Sequence, residues 1–461
     1  MKGTIKTLVN RLFTPARGPL RLPREKHGID KRKVSRHAVK VCEVLNQHGY
    51  DAYIVGGAVR DLIVGLAPKD FDVATNATPN QIRPLFRRAR IIGRRFQLVH
   101  VVFGQEIIET STFRAPASEE QETDEHGRIL RDNQFGTHEQ DAARRDFTLN
   151  ALYYDPIKEV VIDYHNGVRD LQQRRVRMIG DPETRYREDP VRMLRALRFS
   201  CKLDAEIVSA SRAPIQRMGN LLQNVPSSRL FDEMLKLLTC GQGMACLRQL
   251  HAFGLDQTLL PWVQSIFNTP EDEAFVNLAL ERTDTRIRTG KTISPSFLLA
   301  ALLWKPVYRK WNAIVATGEP PAPALVRAAD EELHRLAGKL GIQKRFVADM
   351  HDIWFMQPRF ERANTRSIWR MVEQPRFRAA VDFLQLRAEA HEVDSVAAQW
   401  WMDLANANDA DRARMIEERE AQSRGKSTSS GTRRRRSRSR GPRKAAVAAQ
   451  TSAGSSQSSE G

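Results

Sequence analysis

The sequence predicts a mixed α/β head followed by an all-helical body, with disordered basic termini. Three observations support this order. Short strand-like runs alternate with helical segments up to about residue 188. From Asp189 almost to Ala421, apolar residues recur with helical spacing. The 461-residue chain also carries a formal net charge of +18, concentrated toward its ends, which is typical of folded domains flanked by solvated arms.

These patterns divide the chain into five segments. We expect a disordered basic arm at 1–34, the α/β head at 35–180 and a helical neck at 181–260. A helical body at 261–423 and a disordered Arg/Ser-rich tail at 424–461 complete the chain. The tail is rich in Arg, Ser and Gly and has no aromatic residues, so it cannot bury a core.

The basic balance of the chain points to a polyanionic partner, for which nucleic acid is a better candidate than a membrane. We expect no integral membrane segment, because the chain has no run of roughly 18 apolar residues. The N-terminus also lacks the apolar stretch of a secretory signal. The four cysteines form no C-x-x-C pair, so we expect reduced thiols and a cytoplasmic location.

The local patterns of the head define a helix and several short strands. Ser35 is a suitable N-cap for a helix that ends near Gly49. A second helix is expected at Val59–Val64, after a pair of glycines. The strands expected from alternation and β-branched content are Tyr53–Val55, Asp70–Val73, Leu98–Phe103 and Glu106–Thr112.

The residues most suggestive of chemistry are Asp70 and Asp72. On a strand, side chains at positions i and i+2 point to the same face, while Phe71 points into the core. Two such carboxylates suit a pair of hard divalent cations held about 3.5–4 Å apart. Most pairs of this kind are merely solvated surface carboxylates, so the assignment depends on its context.

The context is a glycine pair upstream and a third acidic residue downstream. Gly56 and Gly57 lie between a strand and a helix, where a ligand can approach the backbone and the helix N-terminus offers free N–H groups to phosphate. Glu109 lies on a later strand and is the candidate third carboxylate. Glu106 competes for that role, but three residues away it faces the opposite side, as a surface charge would.

At this point the sequence resembles a known family. The run Val55–Asp61, together with Asp70–Asp72, is similar to the head of the class II nucleotidyltransferases, which include bacterial poly(A) polymerases and CCA-adding enzymes. Arg144–Leu152 resembles the second motif of that superfamily, and Glu188–Arg195 resembles its nucleotide-reading motif. The motifs follow in order over about residues 37–205, and the resemblance continues more loosely to about residue 400. It implies that the head is a nucleotidyltransferase domain, that the neck at 181–260 selects the nucleotide and that the body at 261–423 binds RNA.

The resemblance implies a role for each motif. Magnesium, with manganese as the alternative, would bind Asp70 and Asp72, and Glu109 would support the metals or the attacking 3′ hydroxyl. An arginine pair also suits a phosphate clamp, because its forked donors match phosphate oxygens. The residues implied to bind ATP are Gly56, Gly57, Arg60, Arg144, Arg145, Asp146, Asn150, Asp189, Arg192 and Arg195.

The nucleotide-reading segment has an independent physical rationale. Asp189 can cap a helix whose first residue is Pro190, and Arg192 then lies one turn further on. An acceptor beside a forked donor can pair with the Watson–Crick edge of adenine. Spacing alone leaves an ordinary capped helix with an Asp–Arg pair equally open.

The segment Ile91–Val101 resembles the polymerase branch of the superfamily, as do Thr283–Arg286 and Pro375–Ala380 in the body. The resemblance implies a polynucleotide adenylyltransferase that adds AMP from ATP to RNA 3′ ends and supports RNA processing and decay, with RNA-decay proteins as candidate partners. A CCA-adding enzyme is the alternative. An alternative of another class is a catalytically silent RNA-binding protein, although the intact acidic residues argue against it.

Overall fold

The computed structural model describes residues 18–93, 97–115, 134–256, 261–337 and 341–429. It confirms an α/β head followed by an almost entirely helical neck and body. Within these ranges no helix combines the length and the apolar character needed to cross a membrane.

One mixed sheet of eight strands forms the head. The strands are β1 Leu20–Pro23, β2 Ala52–Val55, β3 Asp72–Thr75, β4 Ala89–Ile92, β5 Leu98–Phe103, β6 Glu106–Thr112, β7 Leu152–Asp155 and β8 Val160–Asp163. Their order across the sheet is β1-β8-β7-β2-β3-β6-β5-β4. Strands β3 and β6 are parallel, and every other neighbouring pair is antiparallel.

The strand that carries the acidic pair is shorter at its start than predicted. It begins at Asp72, where pairing with Val55 of β2 starts, so Asp70 lies in the preceding loop. Phe71 is buried, as predicted. The register places Asp72 directly opposite Glu109 of β6, and Glu109 opposite His100 of β5. Residues that are directly opposite each other share one face of a sheet. Asp72 and Glu109 therefore point to the same face, and these two residues together with Asp70 are called the acidic edge of the head.

Short helices cover the sheet of the head. They are α1 Arg24–His27, α2 Arg36–Gln47, α3 Gly57–Ile63, α4 Pro79–Ile82, α5 His138–Arg144 and α6 Gly167–Gln172, with 3-10 turns at Lys31–Lys33, Arg83–Leu85 and Thr148–Asn150. The predicted cap of α2 is confirmed, because the Ser35 side chain accepts hydrogen bonds from the backbone N–H groups of His37 and Ala38.

The prediction of a disordered arm is wrong for residues 18–34, and residues 1–17 lie outside the described residues. Strand β1 pairs antiparallel with β8 at the edge of the sheet. The buried His27 ring contacts the Glu159 carbonyl oxygen at 3.0 Å, and Ile29 and Val34 are buried in the core. The basic composition of this segment indicates disorder. The strand forms because it pairs with β8, which lies far along the chain.

Helices form most of the remaining described chain, and a two-residue parallel ladder joins β9 Arg175–Val176 to β10 Glu206–Ile207. The neck contains α7 Pro182–Glu188, α8 Val191–Leu203, α9 Ser209–Met218, the 3-10 turn Gly219–Asn224, α10 Ser227–Leu238 and α11 Gly243–Ala252. The body contains α12 Pro261–Ile266, α13 Pro270–Arg288, α14 Pro295–Leu302, α15 Trp304–Ala316, α16 Pro321–Ala337, α17 Lys344–Phe355, α18 Gln357–Arg362, α19 Thr365–Val372, α20 Phe377–Glu389, α21 Ser395–Asn406 and α22 Asp409–Ser429.

The last helix corrects the predicted start of the tail. Helix α22 continues past residue 424 to Ser429, and residues 430–461 lie outside the described residues. Ion pairs one turn apart, Arg412 with Asp409 and Arg414 with Asp411, support its first turns. Such pairs stabilise the start of a helix whose sequence is mostly polar.

Two large apolar cores and a smaller cluster within the head, which includes Val55, Phe113 and Tyr153, hold these elements. The larger core is continuous through the head, the neck and the body as far as α17, with contributions from α20. The smaller core lies between α18 and α22 and includes Met356, Phe360, Ile368 and Trp401. The C-terminal helices therefore have a packing unit of their own.

We predict that Ile29→Ala lowers the free energy of unfolding by about 3 kcal/mol, because the side chain is buried in the main core. Ile157→Ala is the control, since Ile157 lies on the surface, and should change stability by less than about 0.5 kcal/mol. Urea denaturation followed by circular dichroism measures both. Equal midpoints would show that residues 18–34 contribute nothing to the fold.

Candidate active site

Three carboxylates lie near the start of strand β3, those of Asp70, Asp72 and Glu109. Glu109 lies directly opposite Asp72 in the sheet. Desolvation by the surrounding protein raises the pKa of Asp72 to about 6, helped by the charges of Glu109 and Asp70 and opposed by Arg145. The register and these charge interactions place the three predicted acidic residues near one another.

The chemistry of these groups fits a hard divalent cation. Carboxylate oxygens are the donors that magnesium and manganese prefer, and a bound cation would relieve the repulsion that raises the pKa of Asp72. The protein alone does not supply a complete coordination shell. In the described part of the chain, no group of three His, Cys, Asp or Glu side chains is arranged to hold a metal ion. Substrate oxygens commonly complete such sites for magnesium.

Glu106, the competing acidic residue, belongs to a different site. Its carboxylate accepts a 2.5 Å hydrogen bond from the Ser35 hydroxyl and lies 2.5 Å from His37 Nδ1, at the start of α2. Although partial burial opposes the shift, these two contacts lower the pKa of Glu106. Glu106 therefore stabilises the N-terminus of a helix, and Glu109 is the third carboxylate of the acidic edge.

The glycine pair forms a tight turn between β2 and α3. Gly56 has φ +68°, and a side chain there would place its Cβ 3.2 Å from Arg145 Nη1. The Gly56 N–H donates to the Leu152 carbonyl oxygen, and Gly57 opens α3. The turn therefore brings the free N–H groups of a helix N-terminus close to a guanidinium, a combination that suits phosphate.

Two side chains, those of Tyr153 and Asp141, hold Arg145 in place. Its Nε donates to the Tyr153 hydroxyl at 2.9 Å and its Nη2 to Asp141 at 3.1 Å. Although burial opposes the shift, Tyr153 and Asp141 raise the pKa of Arg145 above its usual range. Arg144 is 3.8 Å from the same aspartate. Arg145 is thus a permanent, oriented cation between the glycine turn and Asp72, as a phosphate clamp requires.

Two residues implied to bind ATP are buried in a network behind the site. Arg60 donates to Asp61 at 2.7 and 2.9 Å and to the Asn150 side-chain oxygen at 2.7 Å. The Asn150 amide then donates to Asp146 at 2.9 Å. These contacts fix the Arg60 guanidinium between Asp61 and Asn150, so Arg60 positions its neighbours in this geometry.

Asp146 joins the head to the neck. Its second carboxylate oxygen accepts a 2.7 Å hydrogen bond from Arg195 Nε on α8. Although burial opposes the shift, Arg195 and Asn150 lower the pKa of Asp146. The carboxylate therefore stays ionised and fixes the neck helix against the head.

The sequence analysis missed the residues that complete this junction. The Phe199 ring is contacted by the guanidinium groups of Arg60, Arg195 and Arg198, each carbon lying 4.6–5.4 Å from the ring centroid. Lys202 reaches back to Asp61 of the head at 2.8 Å. A signal was available, since Arg195, Arg198 and Lys202 recur at helical spacing on one face of α8.

A cavity of about 320 Å³ lies at this junction, between the head and helices α8 and α10. Its volume is at the lower end of the range for small-molecule sites. The lining residues are Asp146, Asp189, Val191, Arg192, Arg195, Arg229, Asp232, Glu233 and Lys236. The structure therefore gathers four of the predicted nucleotide-binding residues around one space.

The expected pair between Asp189 and Arg192 is not formed. Arg192 donates to the Arg185 carbonyl oxygen at 2.8 Å and to Glu188 at 2.9 Å, whereas Asp189 accepts from Arg229 at 2.6 Å. Helix α8 begins at Val191, one residue later than predicted, and the Asp189 side chain bonds its first N–H. Arg229, which the sequence analysis did not single out, supplies the forked donor beside Asp189.

His100 is a further residue of the acidic edge. Its Nε2 lies 3.3 Å from Glu109 Oε1. It belongs to the segment Ile91–Val101 that resembles the polymerase branch, and the side chains of 94–96 in that segment lie outside the described residues. The described part of the segment therefore contacts the third carboxylate directly.

These features define a nucleotidyltransferase. Its sheet presents an acidic edge beside a glycine turn, and its helical neck forms a polar cavity with the head. The same fold occurs in the Bacillus stearothermophilus CCA-adding enzyme in complex with CTP, with a TM-score of 0.53 and 25% identity over 79% of this chain and 80% of that one.

The chain belongs to the poly(A) polymerase I family. It is 44% identical to poly(A) polymerase I of Salmonella typhi over 409 residues. This aligned region covers 86% of this chain and 88% of the relative. Three family models match: the poly A polymerase head domain at 52–177, a probable RNA and SrmB-binding site of polymerase A at 206–267, and the polymerase A arginine-rich C-terminus at 317–441. The expected class of enzyme, a polynucleotide adenylyltransferase, is confirmed by this membership.

Similarity to CCA-adding enzymes covers less of the chain. The Bacillus pumilus CCA-adding enzyme is 35% identical over 214 residues, which is 46% of this chain and 52% of that enzyme. The two branches share the head, and the long match to poly(A) polymerase I continues into the body. The assignment to the polymerase branch is therefore confirmed.

We predict that Gly56→Ala lowers the affinity for ATP at least tenfold, because the new Cβ lies 3.2 Å from Arg145 Nη1. Gly49→Ala is the matched control, since Gly49 also has a positive φ, +83°, but open space around the added Cβ. Both variants should lose on the order of 1 kcal/mol of stability. ATP titration by calorimetry compares them, and equal affinities would remove the turn from the nucleotide site.

Proposed function

We propose that this enzyme adds AMP from ATP to RNA 3′ ends without a template, in the cytoplasm, as a step in RNA processing and decay. The observation that carries this proposal is the register that places Glu109 opposite Asp72, beside the turn at Gly56. Family membership makes RNA and ATP the substrates to test first.

The reaction requires the RNA 3′ hydroxyl oxygen to attack the α-phosphorus of ATP while the bond to the pyrophosphate breaks. Two magnesium ions, or manganese, bound through Asp70 and Asp72 would stabilise the attacking and leaving oxygens. Glu109 lies where it can help to hold the metals or orient the hydroxyl. Arg145 and the α3 N-terminus would hold the triphosphate and stabilise the charge on the departing pyrophosphate.

The junction cavity suits selection of the base. Asp189 offers an acceptor for the exocyclic amine of adenine, and the guanidinium of Arg229, held 2.6 Å away, offers a donor for N1. Arg192 lines the same cavity and is fixed by Glu188. A rigid acceptor beside a rigid donor discriminates bases through the hydrogen bonds that a wrong base leaves unmade.

A gel-based extension assay tests the reaction, with each nucleoside triphosphate offered singly to an unstructured RNA oligomer and to a transfer RNA lacking its 3′ CCA. We expect long tails on the oligomer from ATP alone. Short addition that needs both CTP and ATP, on the transfer RNA only, would establish a CCA-adding enzyme instead. RNA binding with no addition at all would establish a silent binding protein.

Asp72→Asn should lower kcat in this assay by at least a thousandfold, because the substitution removes a charge that the metals require. Glu106→Gln is the matched control on the neighbouring strand, since Glu106 bonds only the start of α2, and it should keep wild-type addition. Affinity for RNA without ATP or metal should be unchanged in both variants. Normal turnover by Asp72→Asn would refute the metal assignment.

Asp189→Asn should reduce the preference for ATP over CTP about tenfold, because the amide presents a donor as well as an acceptor to the base. Asp232→Asn is the control, since it removes a carboxylate from the rim of the same cavity without an arginine partner in the described part of the chain. The ratio of kcat/KM for the two nucleotides measures the effect. An equal change in both variants would mean that only the charge of the cavity matters.

A further inference from the structure

A second basic cavity, of about 500 Å³, lies in the body. It is bounded by the start of α16 and by helices α18 and α19. Arg359, Arg362 and Arg370 line it, together with small and neutral polar residues, and no carboxylate is among the lining residues. This composition differs from the junction cavity, whose lining contains four acidic side chains.

The three arginines of this cavity are available to a ligand. Each is exposed, and none has an ion pair or side-chain hydrogen bond to another described residue. Glu361 and Glu373 lie nearby in sequence, but neither lines the cavity. Three like charges around one space repel one another, so an anion with several charges gains energy there and a neutral ligand does not.

An exposed aromatic side chain lies on the adjoining face. Trp369 is 37% exposed on α19, whereas Trp262, Trp304, Trp354 and Trp401 are buried. On a helix, positions three and four residues apart are neighbours, so Trp369 and Arg370 share a face with Arg366, which is also exposed. Cations interleaved with an open aromatic ring favour a single-stranded nucleic acid over a simple inorganic anion.

The cavity is structurally separate from the catalytic end of the molecule. Phe360, Ile368 and Met371, from the two helices that carry its arginines, pack in the smaller apolar core. The acidic edge lies on the sheet of the head and the junction cavity on neck helices, which pack in the larger core and in the cluster within the head. A ligand in this cavity can therefore contribute to binding without touching the reacting atoms.

We propose that Arg359, Arg362 and Arg370 bind the phosphates of single-stranded RNA upstream of its 3′ end, while Trp369 stacks on a base. This inference rests on the proposed function, in that RNA is the polyanion the enzyme must hold. The site provides affinity without reading sequence, because guanidinium groups that contact phosphates carry no base information.

The test measures affinity for a fluorescent RNA 20-mer by anisotropy over a series of salt concentrations, with neither ATP nor divalent metal present. The test variant replaces Arg359, Arg362 and Arg370 with Gln. The control variant makes the same three changes at Arg36, Arg169 and Arg175, which are exposed and lie outside this cavity. Both lose three positive charges, so a difference between them reports the site and not the net charge.

We expect at least tenfold weaker binding by the test variant and less than twofold by the control. The slope of log affinity against log salt should fall by about 2, since each phosphate contact on a single strand contributes about 0.7. Trp369→Ala should weaken binding at least fivefold, and Trp369→Phe should restore most of the loss. Extension of a tetranucleotide should keep its kcat in all four variants, because the tetramer occupies only the catalytic end.

Equal affinities and slopes for the test and control variants would overturn the inference. So would RNA binding by the test variant at the wild-type level together with loss of binding to a poly-glutamate peptide, which would identify an acidic protein as the ligand. Failure of the proposed function looks different, since the wild-type enzyme would then leave the tetranucleotide unextended with ATP and magnesium.

Discussion

The active site depends on a buried chain of charge-assisted hydrogen bonds that crosses from the head to the neck. It runs from Asp61 through Arg60 and Asn150 to Asp146, and from there to Arg195 on α8. Buried charges persist only where each is paired and hydrogen-bonded, so the chain stabilises one relative placement of head and neck and penalises others. This chain of hydrogen bonds therefore fixes the position of the base-selecting cavity relative to the acidic edge.

The same chain fixes the side chains of several residues that are implied to bind ATP. Arg60 and Asn150 are bonded on both sides, so their side chains are fixed within this network. Arg145 lies beside the Gly56 turn, and its contacts with Tyr153 and Asp141 hold it there. A motif records which residues a site needs, whereas the structure distinguishes those that touch the ligand from those that hold its neighbours.

Much of the fold was predictable, because local signals decide it. The Ser35 cap, the turn at Gly56 and the β5–β6 hairpin that carries Glu109 all follow from patterns within a few residues. Two features could not be predicted, because they depend on distant partners. Strand β1 folds only by pairing with β8, and Asp189 bonds Arg229 on another helix. Periodicity identifies the face of a helix but not the residue it meets.

The distribution of charge separates the two tasks of the molecule. In the junction cavity every arginine is paired with a carboxylate, so Arg192, Arg195 and Arg229 are rigid and nearly neutralised. Rigid, compensated donors discriminate between bases but add little net attraction for a polyanion. The uncompensated arginines of the body have the opposite properties. A polymerase that must accept many RNA sequences yet add one nucleotide needs both kinds of site, and the fold keeps them on different cores.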